Sequence, residues 1–175
     1  MGILICGLNG AGKSTLGKQL AERLSWAFID NEDLYFSKLD AQYIYANPRE
    51  KAEVIRLLEE RIEKDRRFVF AAVKGDYGDK LLSLLDCIIV VDVPREIRFA
   101  RVRERSFQKF GGRMLGRGDL AQRESAWFAQ VESRPEDYVE KWLESVDCPI
   151  IRVDGTRTIE ENVEYLASVV TKTRR

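Results

Sequence analysis

The chain has 175 residues, a length typical of one domain, and 45% of its residues are hydrophobic. Its 29 lysines and arginines balance 29 aspartates and glutamates, so the overall charge argues against a nucleic-acid or anionic-membrane partner. The apolar runs are too short to span a bilayer, and the absence of histidine excludes imidazole-based catalysis and the usual serine hydrolase triad.

The three cysteines, Cys6, Cys87 and Cys148, are far apart in the sequence and none has a CxxC partner. This spacing is typical of reduced structural thiols and argues against a disulfide or zinc framework. The chain also opens directly into an apolar run, without the basic region that precedes a signal-like stretch. We therefore expect a cytoplasmic protein.

Strands and helices alternate from the beginning of the chain. Ile3–Cys6 is typical of a buried strand, and Leu16, Leu20 and Leu24 form one apolar face of a helix predicted over Lys13–Leu24. The next predicted elements are a strand at Trp26–Ile29, a helix from Asn47-Pro48 to about Lys64, a strand at Phe68–Val73 and a short helix at Asp79–Leu85.

The second half of the chain continues the alternation. The β-branched run Cys87–Val93 is the strongest strand signal, and Pro94 predicts the start of a helix that runs to about Arg105. The remaining predicted elements are helices at Leu120–Glu132 and Pro135–Ser145, a strand at Ile150–Val153 and a closing helix at Ile159–Val169. This order predicts one α/β domain over residues 1–175, with helices on both faces of a parallel sheet.

Two long segments have no clear periodicity, and such segments in a domain of this size are usually functional or disordered. Residues 107–119 are glycine-rich and basic, which predicts either a mobile lid or a solvated loop. Residues 31–47 are predicted to form a loop on the acceptor side, or a surface loop whose aromatic side chains pack on the core. Those aromatic residues are Tyr35, Phe36, Tyr43 and Tyr45.

The stretch GLNGAGKSTLG follows the first predicted strand and contains G-x-x-x-x-G-K-S in full. Glycines let the backbone turn tightly and present N–H groups to an anion, and the following helix adds its positive end. Lys13 is expected to reach the β- and γ-phosphates of a nucleotide, and the Ser14 hydroxyl to bind Mg²⁺. The residues predicted to bind the phosphates are Gly7, Leu8, Asn9, Gly10, Ala11, Gly12, Lys13, Ser14 and Thr15.

With these residues the chain resembles the shikimate kinase and gluconate kinase families, which are relatives of the nucleoside monophosphate kinases. The shared pattern G-x-x-G-x-G-K-S-T-x-G-x-x-L-A-x-x-L, followed by F-x-D, is present through Phe28 and Asp30. Pro94, Arg101 and Arg105 match the spacing that monophosphate kinases show after an apolar strand. The stretch IIRVDGTRTIEENVEYL is similar to their final strand and adenine-side loop, which carries Asp154 and Gly155 here.

The resemblance implies a three-layer P-loop NTPase fold with a lid and a five-stranded parallel sheet ordered 2-3-1-4-5. It also implies transfer of the γ-phosphoryl group of ATP to a small metabolite, with Mg²⁺ present. Arg101 and Arg105 resemble arginines that contact ATP. Arg113 and Arg117 are expected to close over the transferring group, and Arg123 and Arg134 resemble arginines that face the γ-phosphate or the acceptor; each is also typical of a solvated surface position.

Asp30 is the most informative carboxylate, because it ends a predicted strand across from the phosphate loop. It is expected to accept the acceptor's hydroxyl proton or to help hold Mg²⁺, and the alternative is a cap of the next turn. If the chain stays extended, Glu32 lies on the same side. Lys74 and the aromatic loop are expected to bind a compact, anionic acceptor.

The sequence also departs from each of the families that it resembles. VKGDYG stands where shikimate kinases have a glycine triplet, and DNEDLYF lacks the glycine and histidine of the corresponding gluconate kinase stretch. The acceptor is therefore not identified. A nucleoside monophosphate kinase, or an ATP-binding switch protein with slow ATPase activity, remains an alternative, and the oligomeric state stays open.

Overall fold

The computed structural model describes residues 1–172, and its centre is a five-stranded sheet in which every neighbouring pair is parallel. The strand order is β2-β3-β1-β4-β5, which confirms the predicted fold class and topology. The strands are β1 (Gly2–Cys6), β2 (Ala27–Asp30), β3 (Phe68–Ala71), β4 (Leu85–Asp92) and β5 (Ile150–Asp154).

Helices cover both faces of the sheet, because successive strand side chains point to opposite sides. Ile3 and Ile5 pack with the helices over Lys13–Leu24 and Ile159–Lys172, whereas Leu4 and Cys6 pack with the helices over Lys51–Asp65 and Tyr138–Leu143. The helices are α1 (Lys13–Leu24), α2 (Asn31–Tyr35), α3 (Lys51–Asp65), α4 (Asp79–Leu82), α5 (Arg95–Phe110), α6 (Ala121–Glu132), α7 (Tyr138–Leu143) and α8 (Ile159–Lys172). Among the described residues, none of these helices has both the length and the apolar character needed to cross a bilayer.

The acceptor-side segment 31–47 is not wholly a loop, since it begins with the helix α2. The helix predicted to begin at Asn47-Pro48 begins instead at Lys51, with Glu50 at its N-cap position. Asn47 has a φ of 53°, in the left-handed region that asparagine tolerates, whereas an N-cap residue adopts an extended conformation. The Asn-Pro pair therefore forms part of the turn that precedes the helix.

The predicted lid segment 107–119 also begins in a helix. Helix α5 continues past Arg105 because Ser106 and Phe110 extend its buried face by one further turn, and it ends at Gly111, where φ is 53°. A 3-10 turn, Gly111–Met114, follows. The irregular part of the segment is therefore shorter than its composition suggests.

Candidate functional site

The phosphate loop, residues 7–12, joins β1 to α1 at the carboxyl edge of the sheet. It lies between the ends of β3 and β4: the Gly7 N–H donates to Val73 O at 3.2 Å, and a Cβ at Gly7 would lie 2.7 Å from Val91 O. The order of the sheet reverses at β1, and ligands of open parallel sheets bind at such a point.

The loop has a backbone conformation and a close packing that require glycine. Gly7, Gly10 and Gly12 have φ values of 145°, 84° and 92°, which side-chain-bearing residues rarely adopt. A Cβ at Gly10 would lie 2.2 Å from the carbonyl oxygen of Arg98 on α5. Helix α1 begins directly after Gly12, so its first N–H groups face the space enclosed by the loop.

Lys13 is the first residue of α1, and its side chain turns back onto the phosphate loop. Its ammonium group donates to Leu8 O at 3.1 Å. The pKa of Lys13 is lowered to about 8: burial is the largest cause and the charges of Arg105 and Arg134 act in the same direction, while Cys6 and Asp30 oppose the shift. A phosphate group bound in the loop would favour the charged form and remove this penalty.

Arg101 and Arg105 lie on α5 and line a pocket of about 190 Å³ together with Lys13, Ser14 and Thr15. The structure thus brings together the cations and the hydroxyls that the motif predicted. An arrangement of this kind, with helix N–H groups at its base, is suited to a polyphosphate.

The predicted adenine-side loop borders the same region. Arg101 donates to Gly155 O at 3.0 Å, and a Cβ at Gly155 would lie 2.5 Å from the Val93 side chain. The Asp154 carboxylate accepts hydrogen bonds from the backbone and the hydroxyl of Thr156, and these bonds lower its pKa. The Asp154 side chain therefore stabilises its own turn, and Gly155 is the residue that contacts the arginine.

Asp30 ends β2 and is the N-cap residue of α2, where its carboxylate accepts the Glu32 N–H at 2.9 Å. The capping role that the sequence left open as an alternative is thus present. Its charge also acts on Lys13, whose pKa it raises. Since the chain turns into α2 rather than staying extended, Glu32 does not follow the direction of Asp30, and its carboxylate pairs with Lys38 at 3.1 Å and with Lys109 at 3.6 Å.

A second cleft, of about 400 Å³, lies beside the phosphate loop, and we call it the acceptor cleft. Lys74 and Tyr35, two residues that the sequence analysis assigned to the acceptor side, both line it. Lys74 lies 3.3 Å from Asp76 and 4.4 Å from the centre of the Tyr138 ring; partial burial opposes its charge, but these two partners give a net rise in its pKa. The other lining residues are Asn9, Asn31, Lys51, Val73, Asp76, Tyr77, Trp127, Gln130, Arg134 and Tyr138.

Most of this lining was missed by sequence reasoning. Tyr77, Trp127 and Tyr138 come from three separate parts of the chain, and only the fold brings them together. The sequence signal that could have indicated Trp127 and Tyr138 is the concentration of aromatic residues in the amphipathic segments after residues 107–119.

Three of the aromatic residues in the acceptor-side segment pack elsewhere. The rings of Phe36, Tyr43 and Tyr45 form a cluster with Phe110 at the end of α5, with ring centres 5.2 to 6.0 Å apart. The Lys109 ammonium group also contacts the Tyr45 hydroxyl. The segment is thus held against the helix that leads into the lid, and of its four aromatic side chains only Tyr35 lines the acceptor cleft.

The three candidate catalytic arginines after α5 do not line the phosphate pocket in this arrangement. Arg113 pairs with Asp119 at 2.6 Å and donates to Gln42 O at 2.8 Å. Arg123 lies over the ring of Tyr43, 5.3 Å from its centre, and Arg117 is exposed. Contact of Arg113 or Arg117 with a phosphate requires the segment 111–119 to move, and contact of Arg123 requires a movement of α6.

Arg134 is the arginine that does reach the loop. Its guanidinium donates to the side-chain oxygen of Asn9 and lies over the Tyr138 ring, 5.2 Å from its centre. Arg134 also lines the acceptor cleft, and its charge acts on Lys13 in the phosphate pocket, whose pKa it lowers.

Glu124 on α6 was also missed. It is only 1% exposed, and one of its oxygens accepts the Tyr43 hydroxyl at 2.9 Å. The other oxygen, Oε2, is buried and has no hydrogen-bond partner within residues 1–172. An unpaired buried carboxylate oxygen is costly, so Tyr43 is an important contact between the acceptor-side segment and α6.

The lowered pKa of Lys13 predicts a pH-dependent affinity for nucleotide. Bound phosphates hold Lys13 charged, whereas in the free protein it loses its proton as the pH rises through about 8. We expect MgATP affinity to be greatest below that pH and to fall by up to about tenfold per pH unit above it. Calorimetric titration between pH 7 and 9.5, in buffers of different ionisation enthalpy, measures both the affinity and the proton uptake.

The Lys13→Arg variant is the control for this slope, because arginine stays charged throughout the range. Its affinity is expected to be flat with pH, whatever its absolute value. A flat wild-type profile without proton uptake would contradict the assignment.

Comparison with known proteins places these features in context. Residues 3–110 match the AAA domain family. The chain is 28% identical to the uncharacterized protein YqaC of Bacillus subtilis, over 95% of this chain and 97% of that protein. It is also 28% identical to an adenylate kinase isoenzyme 6 homolog of Caenorhabditis elegans, over 62% of this chain and 61% of that protein. A shikimate kinase of Haemophilus influenzae is 33% identical over 46% of this chain and 45% of its own length.

Solved structures show the same fold. The chain is similar to shikimate kinase from Aquifex aeolicus, with a TM-score of 0.55 and 18% identity over 99% of this chain and 98% of that one. Shikimate kinase from Acinetobacter baumannii in complex with shikimate gives a TM-score of 0.58 and 14% identity, over 98% of this chain and 93% of that one. Since the family match covers more than half of the chain, this protein belongs to the AAA domain family and has a P-loop kinase fold.

Proposed function

We propose that this protein transfers the γ-phosphoryl group of ATP to a small metabolite bound in the acceptor cleft. The observation that carries the proposal is the position of Arg134, which contacts Asn9 of the phosphate loop and also lines the acceptor cleft. A nucleotide in one pocket and an acceptor in the other would thus meet at one cation. Phosphoryl transfer depends on such positioning and charge neutralisation more than on covalent chemistry.

We infer the following roles for residues in and near the phosphate pocket. The loop N–H groups and Lys13 hold the β- and γ-phosphates, and Arg101 and Arg105 neutralise the remaining charge. Ser14 and Asp30 offer the hydroxyl and carboxylate oxygens that Mg²⁺ prefers, so the donor set fits this ion, and Mg²⁺ supplies charge neutralisation when bound. Asp30 also has the right chemistry to accept the acceptor's hydroxyl proton in a chain without histidine.

The lid is part of the same proposal. Gly111 and Gly116 have φ values of 53° and 54° and bracket a segment that carries Arg113. Backbone rotation at these glycines would carry Arg113 and Arg117 from the surface toward the phosphates. Their present contacts, chiefly the pair of Arg113 with Asp119, are exposed and therefore weak.

The lining of the acceptor cleft favours a compact anion with a flat face. Three cations, Lys51, Lys74 and Arg134, line the cleft beside one carboxylate, that of Asp76, which pairs with Lys51 at 2.9 Å and with Lys74 at 3.3 Å. Four aromatic rings belong to the same lining. The same rings favour the second candidate, a nucleoside monophosphate kinase, because they can stack on a base; the relative named as an adenylate kinase isoenzyme 6 homolog supports this reading.

The proposal is tested by ADP release from MgATP, alone and with nucleoside monophosphates, shikimate, gluconate and other small sugars and acids. We expect one compound to raise the rate a hundredfold or more, on the order of the gain from a positioned acceptor and acid–base catalysis. A slow rate unchanged across the panel would contradict the kinase assignment and favour a nucleotide-dependent switch protein.

The Lys74→Met variant tests whether the acceptor cleft holds that compound. We expect its KM for the acceptor to rise about tenfold, since a charge-assisted contact is lost, while the KM for ATP stays unchanged. Lys80→Met is the control, because Lys80 pairs with Glu59 and Glu63 on the surface and lies outside the cleft. An unchanged KM for the acceptor in Lys74→Met would indicate that the acceptor binds outside this cleft.

A further inference from the structure

Arg98 is a buried arginine on α5 that the proposed chemistry does not use. It is 3% exposed, and its guanidinium donates to both oxygens of Glu136, at 2.7 and 2.6 Å, and to Val93 O at 3.0 Å. Arg98 is the buried member of this ion pair, whereas the Glu136 side chain is 52% exposed. Removing Glu136 would leave the buried guanidinium without its carboxylate partner, which is costly. The pair thus holds Glu136, and the chain that carries it, at a fixed place on α5.

The backbone of Arg98 lies against the phosphate loop. The carbonyl oxygen of Arg98 is so close to Gly10 that a Cβ there would lie 2.2 Å away. The same residue thus contacts the loop through its backbone and Glu136 through its side chain.

Glu136 lies in the short connection between α6 and α7, two residues after Arg134 and two before Tyr138. Arg134 donates to Asn9 and lies over the ring of Tyr138. Arg134 and Tyr138, which lie two residues before and after Glu136, both line the acceptor cleft, while Glu136 itself pairs with Arg98. Exposed Arg95 adds a weaker contact to Glu136 at 3.4 Å.

We propose that the Arg98–Glu136 ion pair positions Arg134, so that its guanidinium faces the γ-phosphate of a nucleotide held in the loop. The inference rests on the proposed function for the role of Arg134. Arg98 and Glu136 are positioning residues, since neither faces the phosphate pocket. The pair ties the loop, α5 and the segment 134–138 into one unit, and Arg134 is set before the nucleotide arrives.

Glu136→Gln tests this, with Asp137→Asn as the matched control. Both variants remove one negative charge from adjacent positions, but Asp137 forms its ion pair within residues 1–172 with exposed Lys141, at 2.7 Å. The measurement is the ratio of Kd values for MgADP and for the non-hydrolysable MgAMP-PNP, which differ by the γ-phosphoryl group. We expect Glu136→Gln to reduce the preference for MgAMP-PNP about tenfold, the value of one misplaced charge-assisted contact, and Asp137→Asn to leave it unchanged.

A coupling measurement separates positioning from general loss of structure. In an Arg134→Met background, Glu136→Gln should have no further effect on the Kd ratio, because the residue through which it acts is gone. Additive effects would overturn the inference, as would a wild-type protein that binds the two nucleotides equally. Arg98→Met combined with Glu136→Met removes both charges and leaves an apolar side chain at the buried position of Arg98, so it should show the same loss of preference even if Glu136→Gln folds poorly.

This readout needs no acceptor. If the acceptor panel shows no kinase activity but the Kd ratio responds as expected, the proposed function fails and the positioning role stands. If the panel identifies an acceptor and the ratio does not respond, the positioning role alone fails.

Discussion

Replacing Lys13 with methionine is expected to slow ATP-dependent phosphoryl transfer by about 10³-fold, the upper part of the range seen when one oxyanion-stabilising donor is removed. The ammonium group is already inside the phosphate loop, where it donates to Leu8 O at 3.1 Å. The same substitution is expected to leave the melting temperature of the free protein unchanged or higher. Burial lowers the pKa of Lys13 to about 8, so its charge opposes folding in the absence of phosphate.

A loss of activity together with an unchanged or higher melting temperature would separate a role of Lys13 in transfer from a general loss of stability. Lys18→Met is the control, because Lys18 lies on the exposed side of the same helix and loses the same charge. Steady-state ADP release and thermal unfolding are measured for both variants. A Lys13→Met protein that retains activity, or one that loses activity only because it unfolds, would contradict the role given to Lys13.

The layers of the fold were predictable because they depend on local patterns. Buried parallel strands are short apolar runs, and each of the five lies close to its predicted position. The strand order came from the resemblance, since no periodicity specifies which strands are neighbours. The errors concern a short helix and a helix end. Helix α2 was missed because a single turn has too few residues to show a 3.6-residue period. The end of α5 was predicted too early because the glycines that follow Phe110 masked its last buried turn.

The candidate site likewise has one part that the sequence predicted and other parts that it did not. The phosphate loop is contiguous in sequence, so its glycines, Lys13 and Ser14 were predicted by spacing alone, and the structure places them together. The acceptor cleft is assembled from the phosphate loop, α2, the first residue of α3, the chain after β3, α6 and the segment 134–138, and Trp127 and Tyr138 carry no motif of their own. The Arg98–Glu136 pair joins residues 38 positions apart, and nothing in the sequence distinguishes Arg98 from the exposed arginines of the same helix.

Asp30→Asn is expected to slow phosphoryl transfer by about 10²- to 10⁴-fold, the usual contribution of a general base, while MgATP still binds. Asparagine is as good an N-cap as aspartate, so the hydrogen bond from the Glu32 N–H, and with it α2, should persist. The substitution thus separates the two roles of Asp30, and an unchanged melting temperature would show that the cap is intact. Asp33→Asn is the control, because Asp33 lies in the same helix and pairs with Lys38 on the surface.

If activity falls, the affinity for MgATP distinguishes whether Asp30 accepts the acceptor's proton or holds Mg²⁺. A base that accepts the acceptor's proton acts only on transfer, so kcat drops and the Kd of MgATP is unchanged. A carboxylate that holds Mg²⁺ contributes to nucleotide binding, so the Kd rises and added Mg²⁺ recovers part of the rate. Full activity in Asp30→Asn would leave capping of α2 as the sole role of this residue. Phosphoryl transfer would then depend on the charges of the loop, Lys13 and the arginines, without a carboxylate base.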